Sequence, residues 1–286
     1  MTRLSGFIPP IATPFRDGRL DIESLHCLLD DLAGSVTGIL VGGSVGETAS
    51  LTVEERIHLL AEVAAHVEGE REIAFSITDN ALENSRRLSE AAGEIGVAVL
   101  MASCPNYYTN DRAMLADYFA ALSEFASADL CLYDNPIASH TSLSIADIHS
   151  LAEAAPRLTH VKVTDLALDK VDALRAETSL VVLAGDDAVL WQQLTRGAEG
   201  AMVALPMIYP ERARALWQAF SAGDVEAARE EYRHVTNFIH VSLGAPDYVA
   251  VIKAVLHHRG LIASPEVRLP LRPLATTRHA EVVASL

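Results

Sequence analysis

Eight short apolar runs recur along this chain of 286 residues, and each is followed by a segment with helical periodicity. Near-continuous apolar runs, rather than alternating ones, are typical of parallel strands that are covered on both faces. The runs begin near Gly6, Gly38, Glu72, Val97, Asp129, Leu158, Leu180 and Gly200. Eight strand-then-helix units within about 220 residues predict an α/β chain with the (β/α)8, or TIM-barrel, fold.

An open, doubly wound sheet is the alternative architecture. Such a sheet usually carries a GxGxxG turn after its first strand, whereas the first run here reads GFIPPIATPF. The barrel is therefore favoured. Helix starts are predicted from a capping box at Thr52–Glu55 and from N-caps at Asp111, Ser144 and Asp187.

Two further helical patterns follow the eighth unit, between about Asp224 and Arg259. No glycine-, serine- or proline-rich linker precedes them. We therefore expect a barrel over residues 1–223 and a C-terminal helical segment over 224–286, packed on the barrel as one structural unit. Residues 276–286 carry little signal and are expected to be ordered only by a neighbour.

The net charge of −16 makes nucleic acids and anionic membranes poor partners. The longest apolar stretches are too short to span a bilayer, and the first residues contain no apolar signal core. Three scattered cysteines without a CxxC pair predict a reducing compartment and no zinc site. We expect a cytoplasmic protein with no metal and no other cofactor.

A lysine, Lys162, lies inside the apolar run of residues 158–164, although the chain contains only three lysines. Lysine is rarely buried without a partner or a chemical role, because its ammonium loses hydration there. Unlike arginine, a lysine amine can form an imine with a carbonyl compound. The alternative is a structural lysine that extends from the strand end to a surface carboxylate such as Asp165.

In a (β/α)8 barrel the active site forms at the carboxyl ends of the strands, and further chemical groups fall there. A glycine-rich loop, Gly42–Glu47, follows the second strand, and its backbone N–H groups with the Ser44 hydroxyl suit a carboxylate or phosphate. Tyr133 ends the fifth strand, Tyr107 follows the fourth, and Gly185 follows the seventh. Tyr133 and Lys162 lie on neighbouring strands, so that a phenol and an amine can meet.

These groups match a known type of chemistry. An amine attacks the carbonyl of a 2-keto acid, and the resulting iminium accepts the electrons of the adjacent carbanion. A tyrosine can transfer the protons while a glycine loop holds the substrate carboxylate. The sequence therefore predicts imine chemistry on a 2-keto acid, with Lys162 as the amine.

The chain resembles the dihydrodipicolinate synthase/N-acetylneuraminate lyase family of class I, Schiff-base aldolases over nearly its whole length. The shared motifs are Thr13-Pro14-Phe15, the G-x-x-G-E loop ending at Glu47, Leu51-Thr52-x-Glu54-Glu55-Arg56, Tyr133-x-x-Pro136, Lys162, Gly185-Asp186-Asp187, Lys253-Ala254-x-Leu256 and Val267–Leu271.

The resemblance implies a metal-independent lyase that makes or breaks a C–C bond next to a 2-keto acid, with pyruvate as the expected keto acid. In such an enzyme Lys162 forms the imine and Tyr133 transfers protons. It implies that Ser44 and Tyr107 are relay partners, with Tyr107 entering from a neighbouring subunit of a homotetramer built from tight dimers. We also expect contacts with the substrate from the glycine-rich loop and from the walls of the pocket. The residues are Gly43, Val45, Gly46, Gly185, Met202 and His140.

Two departures from the family pattern concern the second substrate. In the synthase, an arginine shortly after Tyr-x-x-Pro binds a carboxylate, but residues 137–141 contain none. His140 is the candidate substitute, and a solvated loop histidine is the alternative interpretation that we favour. Val45 replaces a second hydroxyl in the glycine loop. The alternatives left open are 4-hydroxy-tetrahydrodipicolinate synthase, a dehydratase or deaminase acting on a sugar-derived 2-keto acid, and a non-catalytic keto-acid sensor.

By strand alternation, His160 points in the same direction as Lys162 but one layer deeper. We interpret it as a hydrogen-bonded core histidine rather than as a catalytic base.

Overall fold

The computed structural model describes residues 4–243 and 246–286, which contain ten β-strands and thirteen α-helices. The strands are β1 (Gly6–Phe7), β2 (Phe15–Arg16), β3 (Arg19–Leu20), β4 (Gly38–Val41), β5 (Glu72–Ser76), β6 (Val99–Ser103), β7 (Asp129–Asp134), β8 (Leu158–Val163), β9 (Val181–Ala184) and β10 (Gly200–Ala201). The helices are α1 (Ile22–Asp31), α2 (Val53–Val67), α3 (Leu82–Ile95), α4 (Arg112–Phe125), α5 (Pro136–Ser139), α6 (Ile145–Ala154), α7 (Asp169–Glu177), α8 (Leu190–Thr195), α9 (Leu205–Ile208), α10 (Pro210–Ser221), α11 (Val225–Phe238), α12 (Tyr248–His258) and α13 (Thr276–Ala284).

The predicted fold class is confirmed, because eight parallel strands alternate with helices as in a (β/α)8 barrel and further helices follow the last strand. Each of the eight apolar runs contains a strand that begins within two residues of its predicted start. The antiparallel hairpin of β2 and β3, which Asp17-Gly18 connects, was not predicted from the sequence. An Asp-Gly pair between short strands is a strong hairpin signal that could have revealed it.

The chain forms two compact units, and the first contains residues 4–5 and 72–202. Within this unit the strands lie in the order β10-β9-β8-β7-β6-β5 and all of them are parallel. The register places Ser103 of β6 opposite Tyr133 of β7, Tyr133 opposite Lys162 of β8, and Lys162 opposite Leu183 of β9. The carboxyl ends of these strands therefore bring Tyr133 and Lys162 side by side.

The second unit contains residues 6–71 and 203–286. Pro10 bridges to Leu40 in parallel, and α12 is buried from Val249 to Leu256. The two helical patterns predicted after residue 224 are confirmed as α11 and α12. The proposed division of the chain at residue 224 stays a prediction.

Three of the four predicted helix starts are confirmed. Thr52 and Ser144 form complete capping boxes, and the Asp111 side chain accepts a hydrogen bond from the Met114 N–H. The Asp187 prediction is wrong by one residue, since Oδ1 of Asp186 accepts the hydrogen bond from Ala188 N–H at 2.8 Å. An aspartate commonly bonds the N–H two residues on, so the earlier of two adjacent aspartates begins this turn.

The expectation that residues 276–286 are ordered only by a neighbour is also wrong. They form α13, whose Val282 is fully buried. Arg278 Nε lies 3.2 Å from an Asp247 carboxylate oxygen, and the Ser285 and Ser242 hydroxyls are 3.1 Å apart. These contacts are long-range in sequence, which is why local patterns did not indicate them.

Among the described residues, none of the helices is both long enough and apolar enough to cross a bilayer.

Candidate active site

Lys162 is buried at the carboxyl end of β8, with only 3% of its surface exposed. Its Nζ lies 4.1 Å from the centroid of the Tyr133 ring. An ammonium over an aromatic face is stabilised by the ring quadrupole, which offsets part of the lost hydration. Asp165, the carboxylate considered as an alternative partner of Lys162, instead binds Lys170 at 3.1 Å.

His160 is fully buried one layer deeper on the same strand. Its Nε2 faces the Leu4 N–H at 3.5 Å, and its Nδ1 lies 2.7 Å from the Thr159 hydroxyl. Because a backbone N–H can only donate, Nε2 acts as the acceptor, and the ring proton belongs on Nδ1. The interpretation as a hydrogen-bonded core histidine is confirmed.

Two buried cysteines stay protonated, Cys104 after β6 and Cys131 within β7. Burial raises the pKa of Cys131 to about 12, although the charge of Lys162 acts in the opposite direction. Burial also raises the pKa of Cys104 to about 12, and the Asp134 carboxylate adds to this rise. Only a thiolate is a strong nucleophile, so neither thiol competes with the Lys162 amine for a carbonyl.

The Tyr133 hydroxyl is held by Asn135, two residues further along the chain. Asn135 Nδ2 donates a hydrogen bond to Tyr133 Oη at 2.8 Å, and Asn135 Oδ1 accepts one from the Ala138 N–H at 3.1 Å. Asn135 is thereby the N-cap of α5, and Pro136 occupies the first helical position. This Asn-Pro pair is a typical helix start, and it brings the Asn135 amide within hydrogen-bond distance of the Tyr133 hydroxyl.

A second anchor lies between Tyr133 and Asn135. The buried Asp134 carboxylate forms an ion pair with Lys170 Nζ at 2.6 Å. Burial raises the pKa of Asp134, and the Lys170 charge partly offsets this rise. The Asp134 carbonyl accepts a hydrogen bond from the Thr164 N–H at 2.9 Å, which ties the end of β7 to the end of β8. The backbone hydrogen bond therefore ties together the two strand ends that carry Tyr133 and Lys162, and the ion pair anchors Asp134 to α7.

The turn after β9 packs against the end of β8. A Cβ on Gly185 would lie 2.5 Å from the Thr164 hydroxyl and 2.7 Å from the Val163 carbonyl oxygen, so only glycine fits. Burial raises the pKa of the neighbouring Asp186, and the charge of Lys162 partly offsets this. Met202 is fully buried after β10, and its N–H donates to the Ala184 carbonyl. The binding roles of Gly185 and Met202 stay predictions.

Tyr107 lies in the loop after β6 and is 78% exposed. Its ring packs edge to face against Tyr108, with centroids 5.1 Å apart. Asn80 Oδ1 accepts hydrogen bonds from the N–H groups of Asn106 and Tyr107 at 3.0 and 3.4 Å, which fix the loop. His140 is also exposed, in a left-handed conformation at the end of α5, and its binding role stays a prediction.

The glycine-rich loop belongs to the second unit. A Cβ on Gly46 would lie 2.9 Å from the Ile11 carbonyl oxygen, and the Gly46 carbonyl accepts a 2.7 Å hydrogen bond from Thr13. Ser44 is half-buried and Val45 is buried. The loop is therefore tightly built within its own unit, and the binding roles predicted for Gly43, Val45 and Gly46 stay predictions.

Glu47 ends this loop in a left-handed conformation and is buried. Its carboxylate forms an ion pair with the fully buried Lys253 and accepts a 2.8 Å hydrogen bond from the Arg268 N–H. Lys253 Nζ also lies 4.0 Å from the Phe15 ring centroid and donates to the Glu266 carbonyl. Burial lowers the pKa of Lys253, and the Glu47 charge partly opposes this.

No role was predicted from the sequence for Asn135, Asp134 or Lys170. The Asn-Pro step could have revealed Asn135 as an N-cap. The scarcity of lysine could have drawn attention to Lys170, although its pairing with Asp134 spans 36 positions and has no local signal.

Parallel strands that place a buried amine against a phenol at their carboxyl ends define a class of protein, the imine-forming lyases and aldolases built on a (β/α)8 barrel. The chain belongs to the dihydrodipicolinate synthetase family, whose model matches residues 3–286. It is a class I Schiff-base enzyme, as the members of this family are, and its chemistry is independent of metal ions.

Similar proteins cover nearly the whole chain. A 4-hydroxy-tetrahydrodipicolinate synthase from Exiguobacterium sp. is 28% identical over 287 residues, which are 99% of this chain and 97% of that protein. One from Stenotrophomonas maltophilia is 30% identical over 285 residues, 97% of this chain and 93% of that protein. The crystal structure of YagE, an E. coli K12 prophage protein of the dihydrodipicolinic acid synthase family in complex with pyruvate, is 26% identical with a TM-score of 0.92. The aligned region covers 98% of this chain and 96% of the YagE chain.

Proposed function

We propose that this enzyme forms or cleaves a C–C bond next to the carbonyl of pyruvate through an imine on Lys162. The observation that carries the proposal is the buried Lys162 amine, 4.1 Å from the centroid of the Tyr133 ring at the ends of two paired strands. Pyruvate is also the ligand named for the similar YagE structure.

In the proposed reaction, the Lys162 amine attacks C2 of pyruvate, and the carbonyl oxygen leaves as water. The resulting iminium withdraws electrons, so that C3 loses a proton and becomes the nucleophilic carbon of an enamine. That carbon adds to an aldehyde, and water then releases the product from the lysine. Tyr133, which contacts the amine through its ring, is the residue proposed to carry the protons.

Ser44 and Tyr107 are proposed as relay partners of Tyr133, because they occupy the matching positions of the family motifs. The backbone of Gly43, Val45 and Gly46 is proposed to hold the pyruvate carboxylate, since a turn rich in glycine can direct N–H groups toward an anion. A homotetramer in the cytoplasm is proposed from family membership. The 78% exposure of Tyr107 suits a side chain that serves a neighbouring subunit.

A second candidate is 4-hydroxy-tetrahydrodipicolinate synthase, the name carried by the similar proteins. The segment after Pro136 weighs against it, because it supplies no arginine for a second carboxylate and exposes Ile137 instead. An unpaired carboxylate in a closed site costs several kcal/mol. Comparing aldehydes with and without a carboxylate group, each with pyruvate, distinguishes the two candidates. Faster turnover of the aldehyde without a carboxylate supports the first candidate.

Borohydride reduction in the presence of pyruvate tests the imine. We expect one adduct, with the mass of pyruvic acid less one oxygen atom, on the Lys162 peptide. The Lys162→Ala variant should form none and lose turnover while it stays folded. Because the chain has only three lysines, Lys170→Arg and Lys253→Arg serve as matched controls that keep the adduct. A wild-type protein that forms no adduct with any 2-keto acid would overturn the proposal.

A further inference from the structure

The amide of Asn135 has a single consistent orientation. The Ala138 N–H can only donate, so the atom that faces it at 3.1 Å is the oxygen Oδ1. The nitrogen Nδ2 therefore faces Tyr133 Oη at 2.8 Å. Since an amide nitrogen has no acceptor lone pair, the phenol oxygen accepts this hydrogen bond.

The backbone holds Asn135 in place. Its carbonyl accepts hydrogen bonds from the Ser139 N–H at 3.0 Å and from the Ser139 hydroxyl at 2.8 Å. Pro136 follows directly and restricts the local backbone. Asn135 is buried, with 8% exposure, which limits competition from water for its amide. The donor is therefore pre-organised toward the phenol.

We infer that Asn135 is a positioning residue of the reaction: it holds the Tyr133 hydroxyl as a hydrogen-bond acceptor and so directs the single phenolic hydrogen elsewhere. A donor at Oη also stabilises the phenolate more than the phenol, because the bond to an anion is stronger. Asn135 thus eases the loss of a proton from Tyr133. This inference rests on the proposed role of Tyr133 in proton transfer.

The test uses pyruvate alone, so the unknown second substrate is not needed. In D2O, each cycle of imine formation and C3 deprotonation replaces a methyl hydrogen of pyruvate with deuterium, which NMR detects. Borohydride trapping on the same samples measures imine formation separately. Deuterium exchange therefore measures proton transfer at C3, and borohydride trapping measures imine formation by the Lys162 amine.

Two variants remove the amide donor but keep the helix cap. Asn135→Asp is nearly isosteric, and its carboxylate can still accept from the Ala138 N–H, but it places an anion beside Oη. Asn135→Thr keeps a neutral N-cap whose hydroxyl is too short to reach Oη. We expect both to retain trapping on Lys162 and to slow exchange by about tenfold or more at neutral pH. The midpoint of the pH–rate profile should move to higher pH, by about one unit for Asn135→Asp and by less for Asn135→Thr.

Asn237→Asp on the exposed face of α11 is the matched control for the added charge, and it should keep the wild-type exchange rate and midpoint. If both Asn135 variants keep the wild-type rate and midpoint while trapping persists, the inference is wrong and the proposed function stands. If the wild-type protein itself neither traps pyruvate nor exchanges its hydrogens, the proposed function fails instead.

Discussion

All three lysines of the chain are buried, and each is stabilised in a different way. Lys162 lies against an aromatic ring, Lys170 binds two carboxylates, and Lys253 forms an ion pair with Glu47. Loss of hydration is costly for every one of them, so a buried lysine alone does not identify a catalytic amine. The partner of each lysine distinguishes a structural role from a chemical one. Lys170 and Lys253 are paired with carboxylates, as structural lysines are, whereas the contact of Lys162 is with an aromatic ring and not with an anion.

The Glu47–Lys253 pair predicts a specific pattern of stability at the residue scale. Lys253→Met should lower the free energy of unfolding by about 3–5 kcal/mol, because it leaves Glu47 buried and charged. Adding Glu47→Gln should recover most of that loss, since neither buried charge then remains. Urea unfolding of both variants measures the difference.

The exposed pair of Arg212 and Glu231 provides the control for this prediction. Arg212→Met should cost less than about 1 kcal/mol, because exposed ion pairs contribute little. If Lys253→Met and the double variant with Glu47→Gln lose the same free energy of unfolding, the unpaired charge of Glu47 is not the cause of the loss.

At the scale of elements, the ends of β7 and β8 behave as one assembly. The strand register pairs Tyr133 with Lys162, the Asp134 carbonyl binds the Thr164 N–H, and Lys170 connects Asp134 to the segment after β8. The ion pair of Asp134 with Lys170 therefore lies directly beside the strand ends that carry Tyr133 and Lys162. Loss of that ion pair should affect stability in a pH-dependent way.

Lys170→Met should lower the free energy of unfolding by about 3–5 kcal/mol near pH 7.5, because Asp134 loses its buried counter-charge. Burial already raises the pKa of Asp134, so its ionised form is the one that costs stability in the folded state. That cost is present above the folded-state pKa and disappears as the pH falls through it. The difference in the free energy of unfolding between wild type and variant should therefore narrow as the pH is lowered.

Urea unfolding at several pH values measures this dependence. Arg196→Met, which removes the exposed ion pair with Asp172, should have a small effect at every pH. If the difference in the free energy of unfolding between wild type and Lys170→Met widens as the pH is lowered, the buried charge of Asp134 is not the cause of the instability.

At the scale of the whole molecule, the exposed Tyr107 is the residue proposed to serve a neighbouring subunit. A phenol that is 78% exposed, in a loop fixed by Asn80, is well placed to serve another subunit. If Tyr107 acts across an interface, two inactive variants can complement each other. A Lys162→Ala subunit would supply Tyr107 to a Tyr107→Phe subunit that retains Lys162.

We expect mixtures of Lys162→Ala and Tyr107→Phe, unfolded and refolded together, to regain deuterium exchange into pyruvate. Random pairing within dimers restores at most about a quarter of the sites. The two variants refolded separately and then combined without exchange of subunits are the control and should stay inactive. No recovery in a verified mixed oligomer would place Tyr107 outside the neighbouring site.

Much of the fold could be predicted because its signals are local. The apolar run of residues 158–163 and the capping box of Thr52 depend on neighbours within a few positions, and both appear as expected. The end of the chain could not be predicted in this way, since α13 is held by Asp247 and Ser242 from distant segments. The Asp186 cap was missed by one residue because two adjacent aspartates give the same local signal.

The (β/α)8 class, the burial of Lys162 and the position of Tyr133 on the neighbouring strand could all be predicted from spacing along the chain, because strand periodicity and strand order are local properties. The surroundings of these two residues depend instead on how the elements pack. The hydrogen bond that Asn135 donates to the Tyr133 hydroxyl depends on the orientation of a side chain, and the Lys170–Asp134 ion pair depends on a contact between separate elements. Such contacts arise from the packing of distant segments, which no local pattern encodes.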